Sequence, residues 1–544
     1  MKTFKYYIFL IFLFFAACVD NVPTVEELPS SKVDFTYEVI GDYAIDYYVG
    51  SDIKFTNTSY ESGAATWDFG DGSPVVTGES PVHKFSTPGT YTVTLTIAGV
   101  GQNSQNILVS DIAPILTMQP VEGGVTEIKE TPINLDVYLP NPENLPVGYT
   151  WIFPDGTLDA NKNPITTSNL ENPGTLYFNN VGSQRVILRT TLGGRLLEQG
   201  VINVQVGYNQ PTKTLYYAVK GGNIMAYKLV NDLPADVKVF PFDLGVKSGQ
   251  HPFNILFNDS SLYVLDAGRQ FSYINDVDGV LGDGRISVVS KDGLNVEVLA
   301  TNVGGAAFND PFFGYIDPAG QMIYFSDRNT GISRLPLSTR NAVIEKNSAN
   351  NRASYWVQNT SLGYYNNGYQ YGAMNANFAK VGDTWWWSKT YNGVGIFKFK
   401  ESDIGNTATR PASGMVADGA YMKSFVVDQT RNMVYFSVRG ANGGFYAATI
   451  AQFNAMATVN DVAPYLVQRM ITADEGASGE YVDISQMVLD PETGHVYFGY
   501  RKDATSTIPS GLKRYNFTTK KVESVIDNVE IYGVTINNTK AKLF

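Results

Sequence analysis

The densest concentration of residues able to hold a ligand lies between Tyr355 and Tyr391. Eleven of those 37 residues are aromatic, against 13% of the whole chain. Tyr364, Tyr365, Tyr369 and Tyr371 stand among Asn366, Asn367 and Gln370 in one glycine-bounded stretch. Rings interleaved with amides suit sugars, which offer an apolar face and a rim of hydroxyls. A long loop packed on its own side chains would have the same composition, so both readings stand. Trp356 is the next aromatic candidate. Trp385, Trp386 and Trp387 rank lower, because they fall on a repeated strand whose packing already explains them.

One loop is rich in acids. Asp276, Asp278 and Asp283 lie in Asn275-Asp-Val-Asp-Gly-Val-Leu-Gly-Asp-Gly-Arg285 and offer the hard oxygen ligands that calcium takes. The loop opens like a calcium site but lacks a closing glutamate at the expected spacing. An exposed glycine hairpin explains the same residues, and no other cofactor is expected. The three histidines, His83, His251 and His495, are scattered. No HExxH, GxSxG or paired-histidine spacing is present, so zinc or serine-type catalysis has no visible constellation. His251 precedes the apolar run Phe253–Phe257 and is the histidine placed to face a channel mouth.

Cys18 is the single cysteine, so no intramolecular disulfide can form. It follows two lysines, an apolar run from Tyr6 to Phe15, and Ala16-Ala17. That is a secretory leader, and the run is shorter than the roughly 20 residues needed to span a bilayer. The cysteine at its end resembles the bacterial lipoprotein box. That resemblance implies a leader at 1–17, a lipid on Cys18 as the membrane link, and a polar tether at 18–32.

These residues must be carried by elements, and the elements repeat. Tyr315–Ser326, Val426–Ser437 and Val488–Gly499 each read as an apolar strand, an Asp-led turn and a second apolar strand. Weaker copies cover Leu256–Val264 and Phe378–Trp387. A sixth is split between Leu215–Val219 and Tyr532–Asn537 at the C-terminus. The aligned aromatics, Tyr216, Tyr263, Tyr324, Trp386, Tyr435 and Tyr497, are 47, 61, 62, 49 and 62 residues apart. Strand–turn–strand units at this period predict a β-propeller over 212–544, closed by the C-terminal strand. Six blades are expected, or seven if Lys540–Phe544 forms a further strand.

Upstream, Thr66-Trp-Asp-Phe-Gly-Asp-Gly-Ser73 and Gly89-Thr-Tyr-Thr-Val-Thr-Leu-Thr-Ile97 alternate with period two about a glycine turn. Together they resemble the PKD domain, an immunoglobulin-like sandwich, over 33–112. Tyr149-Thr-Trp-Ile-Phe-Pro-Asp-Gly-Thr157 echoes the motif with Pro154 in place of glycine, so 113–207 reads as a second PKD or Ig-like domain. The fold class is therefore all-β: one or two sandwiches followed by a propeller.

The order of parts resembles the PKD-like surface lipoproteins of Bacteroidetes. That resemblance implies an outer-membrane protein facing the cell surface, working beside outer-membrane uptake proteins. A polysaccharide or other polymer is its expected ligand, bound without catalysis. The alternatives are a propeller enzyme, either a lactonase-like hydrolase or a lyase, and an adhesive or structural protein. Net charge is −12. That balance disfavours nucleic acid and anionic polymers, which select basic surfaces, although it leaves room for a local basic patch.

Overall fold

The computed structural model describes residues 32–40, 47–119, 126–231, 233–268, 283–302, 310–327, 331–344, 355–358, 375–389, 395–405, 415–417, 420–439, 443–470, 484–502 and 506–543. Two sandwiches precede six stacked sheets.

In the first sandwich, Phe35–Val39, Ile53–Asn57 and Val82–His83 face Val76–Thr77, Ala65–Asp68, Gly89–Ile97 and Gly101–Val109. Alternation puts Trp67, Val93, Leu95 and Ile97 in the core and sends the threonines outward. Phe69 follows at the strand end, also buried. The indole of Trp67 donates to Gly78 O at 2.7 Å. Gly70 has φ +73°, and a Cβ there would lie 2.5 Å from Thr92 O, so only glycine fits this turn. His83 stacks on Phe69 with centroids 3.9 Å apart, and its Nε2 lies 2.7 Å from Asp71 Oδ2. It packs beside the core, as its place in the motif suggests.

The second sandwich repeats the plan. Ile115–Gln119, Ile133–Tyr138, Thr157–Leu158 and Thr175–Phe178 form one sheet, and the long strands Gly182–Leu192 and Gly200–Gly207 carry the other. Trp151 is fully buried, and its indole donates to Leu170 O at 3.0 Å, the counterpart of the Trp67 bond. Its core runs on into the propeller: Val181, Val204 and Val206 belong to one buried cluster with Tyr216, Val237 and Phe242. Val181 also bridges to Val239, between the third and fourth strands of the first blade.

Each propeller sheet runs from an innermost strand to an outer edge. The innermost strands are Asn254–Asn258, Gly314–Asp317, Asn375–Val381, Met422–Asp428, Ile484–Leu489 and the C-terminal Ile531–Ala541. The last pairs antiparallel with Thr212–Val219, the first propeller strand in sequence, and so closes the first blade. Each innermost strand touches its neighbours, and Ile531–Ala541 touches both Asn254–Asn258 and Ile484–Leu489. Among the described residues the sheets number six. Lys540 and Ala541, read above as the start of a seventh, lie in the closing strand itself.

Closure is fastened by charge. Lys213 Nζ lies 2.5 Å from Asp490 and 3.0 Å from Glu492, while Lys540 reaches Glu492 at 2.9 Å. Lys228, wholly buried, donates to Thr212 O, Thr214 Oγ1 and Ala541 O at 2.9, 3.0 and 2.7 Å. None of these three partners is a carboxylate. Burial, with Lys291 adding repulsion, pushes its ammonium down to about 7. The unfolded chain, with an ordinary value of 10.5, then binds more protons between those two limits. Stability contributed by Lys228 should therefore rise as pH climbs from about 7 toward 10.5, and be lost below about 7. Chemical denaturation of wild type and Lys228→Met across pH 6 to 9.5 measures this. A stability difference that does not change with pH would refute it.

Candidate functional site at the propeller mouth

Antiparallel order decides which residues meet. The innermost strand of each blade runs toward the sandwiches, the second runs back, and the third returns to the second sandwich near Val239. The ends of the second strands and the starts of the innermost strands therefore gather at the opposite end, the mouth. There the second strands finish on charges: Lys220, Asp266, Asp327, Arg439 and Arg501 follow the aromatics Tyr216, Tyr263, Tyr324, Tyr435 and Tyr497 by three or four residues. Four of the five are less than a tenth exposed: Asp266, Asp327, Arg439 and Arg501.

The acids at the mouth hold backbone. Asp266 Oδ1 accepts from His251 N at 2.9 Å and Gly268 N at 3.1 Å. Burial pushes its carboxyl up, against the pull of those amides. Gly249 packs on the same carboxylate, where any Cβ would collide with it. Asp310 accepts from Gly284 N at 2.9 Å, and Asp327 from Gly331 N at 3.3 Å. His251 is 8% exposed, with Nδ1 2.7 Å from Gly268 O. Burial pushes its pKa down against the hydrogen bond to Gly268 O, and the charges of Lys220 and Arg501 add to the fall.

Beneath them lies an aromatic floor. Phe253 meets Phe312 at 4.6 Å and Tyr532 at 5.0 Å, both edge-on. Lys423 Nζ sits 5.1 Å from the Phe253 centroid, and the Arg501 guanidinium 3.5 Å from that of Tyr532. In the fourth, fifth and sixth blades the register of the innermost strand shifts at one place, between Asn375 and Phe378, Met422 and Phe425, and Ile484 and Met487. Such irregularities re-aim side chains. Here they fall on Asn377, on Lys423 and on Gln486.

Gln486 closes the passage. Its Oε1 accepts from Ile255 N at 3.0 Å and Val534 N at 2.9 Å, and its Nε2 donates to Ile255 O at 3.0 Å. One side chain thus ties the sixth blade to the first and second. On the sandwich side of this tie a cavity of about 590 Å³ opens, with Phe257, Ile316, Val381, Val427 and Leu489 on its wall.

The residues singled out from sequence fall as follows. Tyr364, Tyr365, Tyr369, Tyr371, Asn366, Asn367 and Gln370 lie outside the described residues, as do Cys18, Asp276 and Asp278. Of the strands on either side of the tyrosine stretch, the outer strand Tyr355–Gln358 ends and the innermost strand Asn375–Val381 begins at the mouth. Trp356 is half-buried, its ring 5.0 Å from Tyr324 and 4.8 Å from Trp385. It is part of the packing between two blades. Trp385, Trp386 and Trp387 are buried on a second strand. Asp283 is half-buried beside Gly268, and no group of three metal-ligating side chains forms among the described residues. His495 is half-buried, accepting from Phe517 N at 3.1 Å. Lys423, Arg439 and Arg501 escaped sequence reading. For Arg439 and Arg501 the signal is a basic residue four places after the repeated aromatic; Lys423, on an innermost strand, carries no such signal.

Residues 31–110 match the PKD domain family. The chain thus carries a PKD domain, followed by a second sandwich and a C-terminal propeller. No curated protein matches it. Among solved structures it is similar to a putative 6-phosphogluconolactonase of Bacteroides fragilis, at 10% identity and TM-score 0.36, covering 60% of this chain and 98% of that one. A periplasmic gluconolactonase of Pseudomonas aeruginosa gives 11% and 0.36, covering 61% and 99%. The WD40 propeller domain of Doa1 gives 12% and 0.29, covering 54% and 91%. Similarity at this level says nothing about substrate or chemistry.

Proposed function

We propose that this protein is a lipid-anchored, surface-facing outer-membrane protein that binds a glycan or related polymer without transforming it. In this reading it hands the ligand to an outer-membrane uptake system. The observation that carries the non-catalytic part is the use of the mouth's acids. Asp266, Asp310 and Asp327 each accept from backbone amides through Oδ1, which makes them braces for the surrounding loops. A general acid or base needs to reach a substrate proton instead. The glycan part rests on the composition of 363–372, where tyrosines stand among amides. Connections on a rigid scaffold commonly carry recognition.

A glycan array run beside a product assay on the same polymers separates binding from hydrolysis or elimination. Binding without product is the expected outcome, and product formed in large excess over protein would replace this reading with the enzyme one. Once a binding glycan is found, Tyr364→Ala with Tyr365→Ala should weaken it at least tenfold, since a central aromatic anchor contributes on the order of 2 kcal/mol. Full affinity in a folded variant would move the site off this segment. Anchoring is checked separately: Cys18→Ala should release the protein from the outer membrane, and retention would refute lipidation.

A further inference from the structure

Phe257, Ile316, Val427 and Leu489 hold one register position in the second, third, fifth and sixth blades. Each pairs with the residue before the repeated aromatic. Wetting apolar side chains is unfavourable, and an innermost strand has neighbours on both sides to cover them. Yet all four are only half-buried, as are Leu256, Tyr315, Val426 and Val488 just before them. All eight line the cavity of about 590 Å³ on the sandwich side of Gln486. Protein interiors hold few voids larger than a water molecule. A space of this size falls instead within the roughly 300–1,000 Å³ of ligand sites.

Gln486 seals the inner end by tying Ile255 to Val534. The outer end opens between exposed turns at Gly382, Gln429–Thr430 and Pro491. Polar atoms gather toward the inner end. Asn377 and Gln486 share a register position, each preceding the residue that pairs with the end of the apolar run on the second strand. Asn377 is 9% exposed, and its Nδ2 donates to Phe425 O at 2.8 Å, which leaves Oδ1 to accept from a ligand. Thr535, 7% exposed, stands on the wall next to Val534, and no described residue bonds to its hydroxyl. Charges on the cavity wall are spent on one another or on neighbours: Lys380 lies 3.5 Å from Glu401, and Asp428 is 3.0 Å from Arg431. An ion entering here would be desolvated without a free counter-charge.

From this juxtaposition we infer that the cavity binds an uncharged, largely apolar small molecule with one hydrogen-bonding end. The apolar body lies along Phe257, Ile316, Val427 and Leu489, and the polar end, a hydroxyl or an N–H, reaches Asn377 Oδ1 and the Thr535 hydroxyl. This site goes beyond the glycan reading, which uses none of these residues, and the two stand or fall separately.

The test titrates the full chain with N-phenyl-1-naphthylamine, an uncharged aromatic amine whose fluorescence rises when it leaves water. One molecule per chain should bind saturably, and 1-decanol should displace it. Decanoate at pH 8, the same chain length with a charge, should displace it at least about tenfold more weakly. Val427→Trp and Leu489→Trp each put a ring into the open space and should abolish saturable binding with the melting transition in place. Thr535→Val keeps the side chain's shape, so it tests the site without adding bulk. It should weaken 1-decanol several-fold, as expected for one lost hydrogen bond. No saturable binding to wild type would mean a water-filled channel only, and overturns the inference. Undiminished binding in a folded tryptophan variant puts the probe elsewhere and overturns the site. Decanoate competing as well as 1-decanol overturns the uncharged class, and full 1-decanol affinity in Thr535→Val overturns the assigned polar end.

Discussion

Deleting Ile531–Phe544 should abolish cooperative folding of the propeller. The segment supplies the whole innermost strand of the first blade, and Ile531, Tyr532, Val534 and Ile536 on it are buried. Burial of one such side chain contributes about 1.5–3 kcal/mol. Four of them, about 6–12 kcal/mol, are comparable to the roughly 5–15 kcal/mol that separates a folded domain from its unfolded chain. The deletion also strips Lys228 of its Ala541 acceptor, Gln486 of Val534 N, and Glu492 of Lys540. Thr212–Val219 would be left as an open edge, ready to pair with another chain. The truncated protein should therefore elute as aggregate and show no propeller transition by calorimetry, while the PKD domain, with its own separate core, still melts. A monomer with an unchanged transition would show that the ring does not depend on this strand.

That closing strand was legible because its sequence repeats a pattern used five other times. Inner and second strands are buried on both faces, so they read as apolar runs with an aromatic at fixed spacing. The outermost strands were not legible. Leu466–Arg469 is a short edge of mixed exposure, and neither burial nor a partner on both sides constrains its composition. The PKD core was legible for the opposite reason, since strict alternation and a glycine turn leave few other folds. The mouth was legible only in outline. His251 was placed there from its position before an inner strand. Lys423 and Arg501 were missed because a basic residue, even at a repeated spacing like that of Arg501, does not show in sequence what it faces. Its meaning comes from Phe253 and Tyr532, which lie 170 residues before Lys423 and 31 residues after Arg501 in sequence. Sequence-distant partners of this kind become visible only once the ring is closed.

Gln486 makes the same point as a stability prediction. Nothing in Ser485-Gln-Met-Val-Leu489 marks it, yet it makes three hydrogen bonds to the backbones of two other blades. Gln486→Leu preserves volume and removes all three. Ile255 is fully buried, so its N–H would lose its partner away from water, and Val534 N would follow. Each buried group left unsatisfied costs about 1–3 kcal/mol. The cavity beside Gln486 sets the lower bound, because water entering from it can recover part of the loss. The expected destabilisation is therefore about 2–5 kcal/mol, with faster amide exchange confined at first to Ile255 and Val534. Gln486→Glu retains an acceptor for the two amides but sets a carboxylate oxygen against Ile255 O. It should be less stable than wild type at neutral pH and recover as pH falls and the carboxyl gains a proton to donate. Urea denaturation of both variants, with exchange measured at the two amides, decides the matter. A Leu variant within about 0.5 kcal/mol of wild type would mean that the blades are held by side-chain packing alone, and that Gln486 merely occupies the passage.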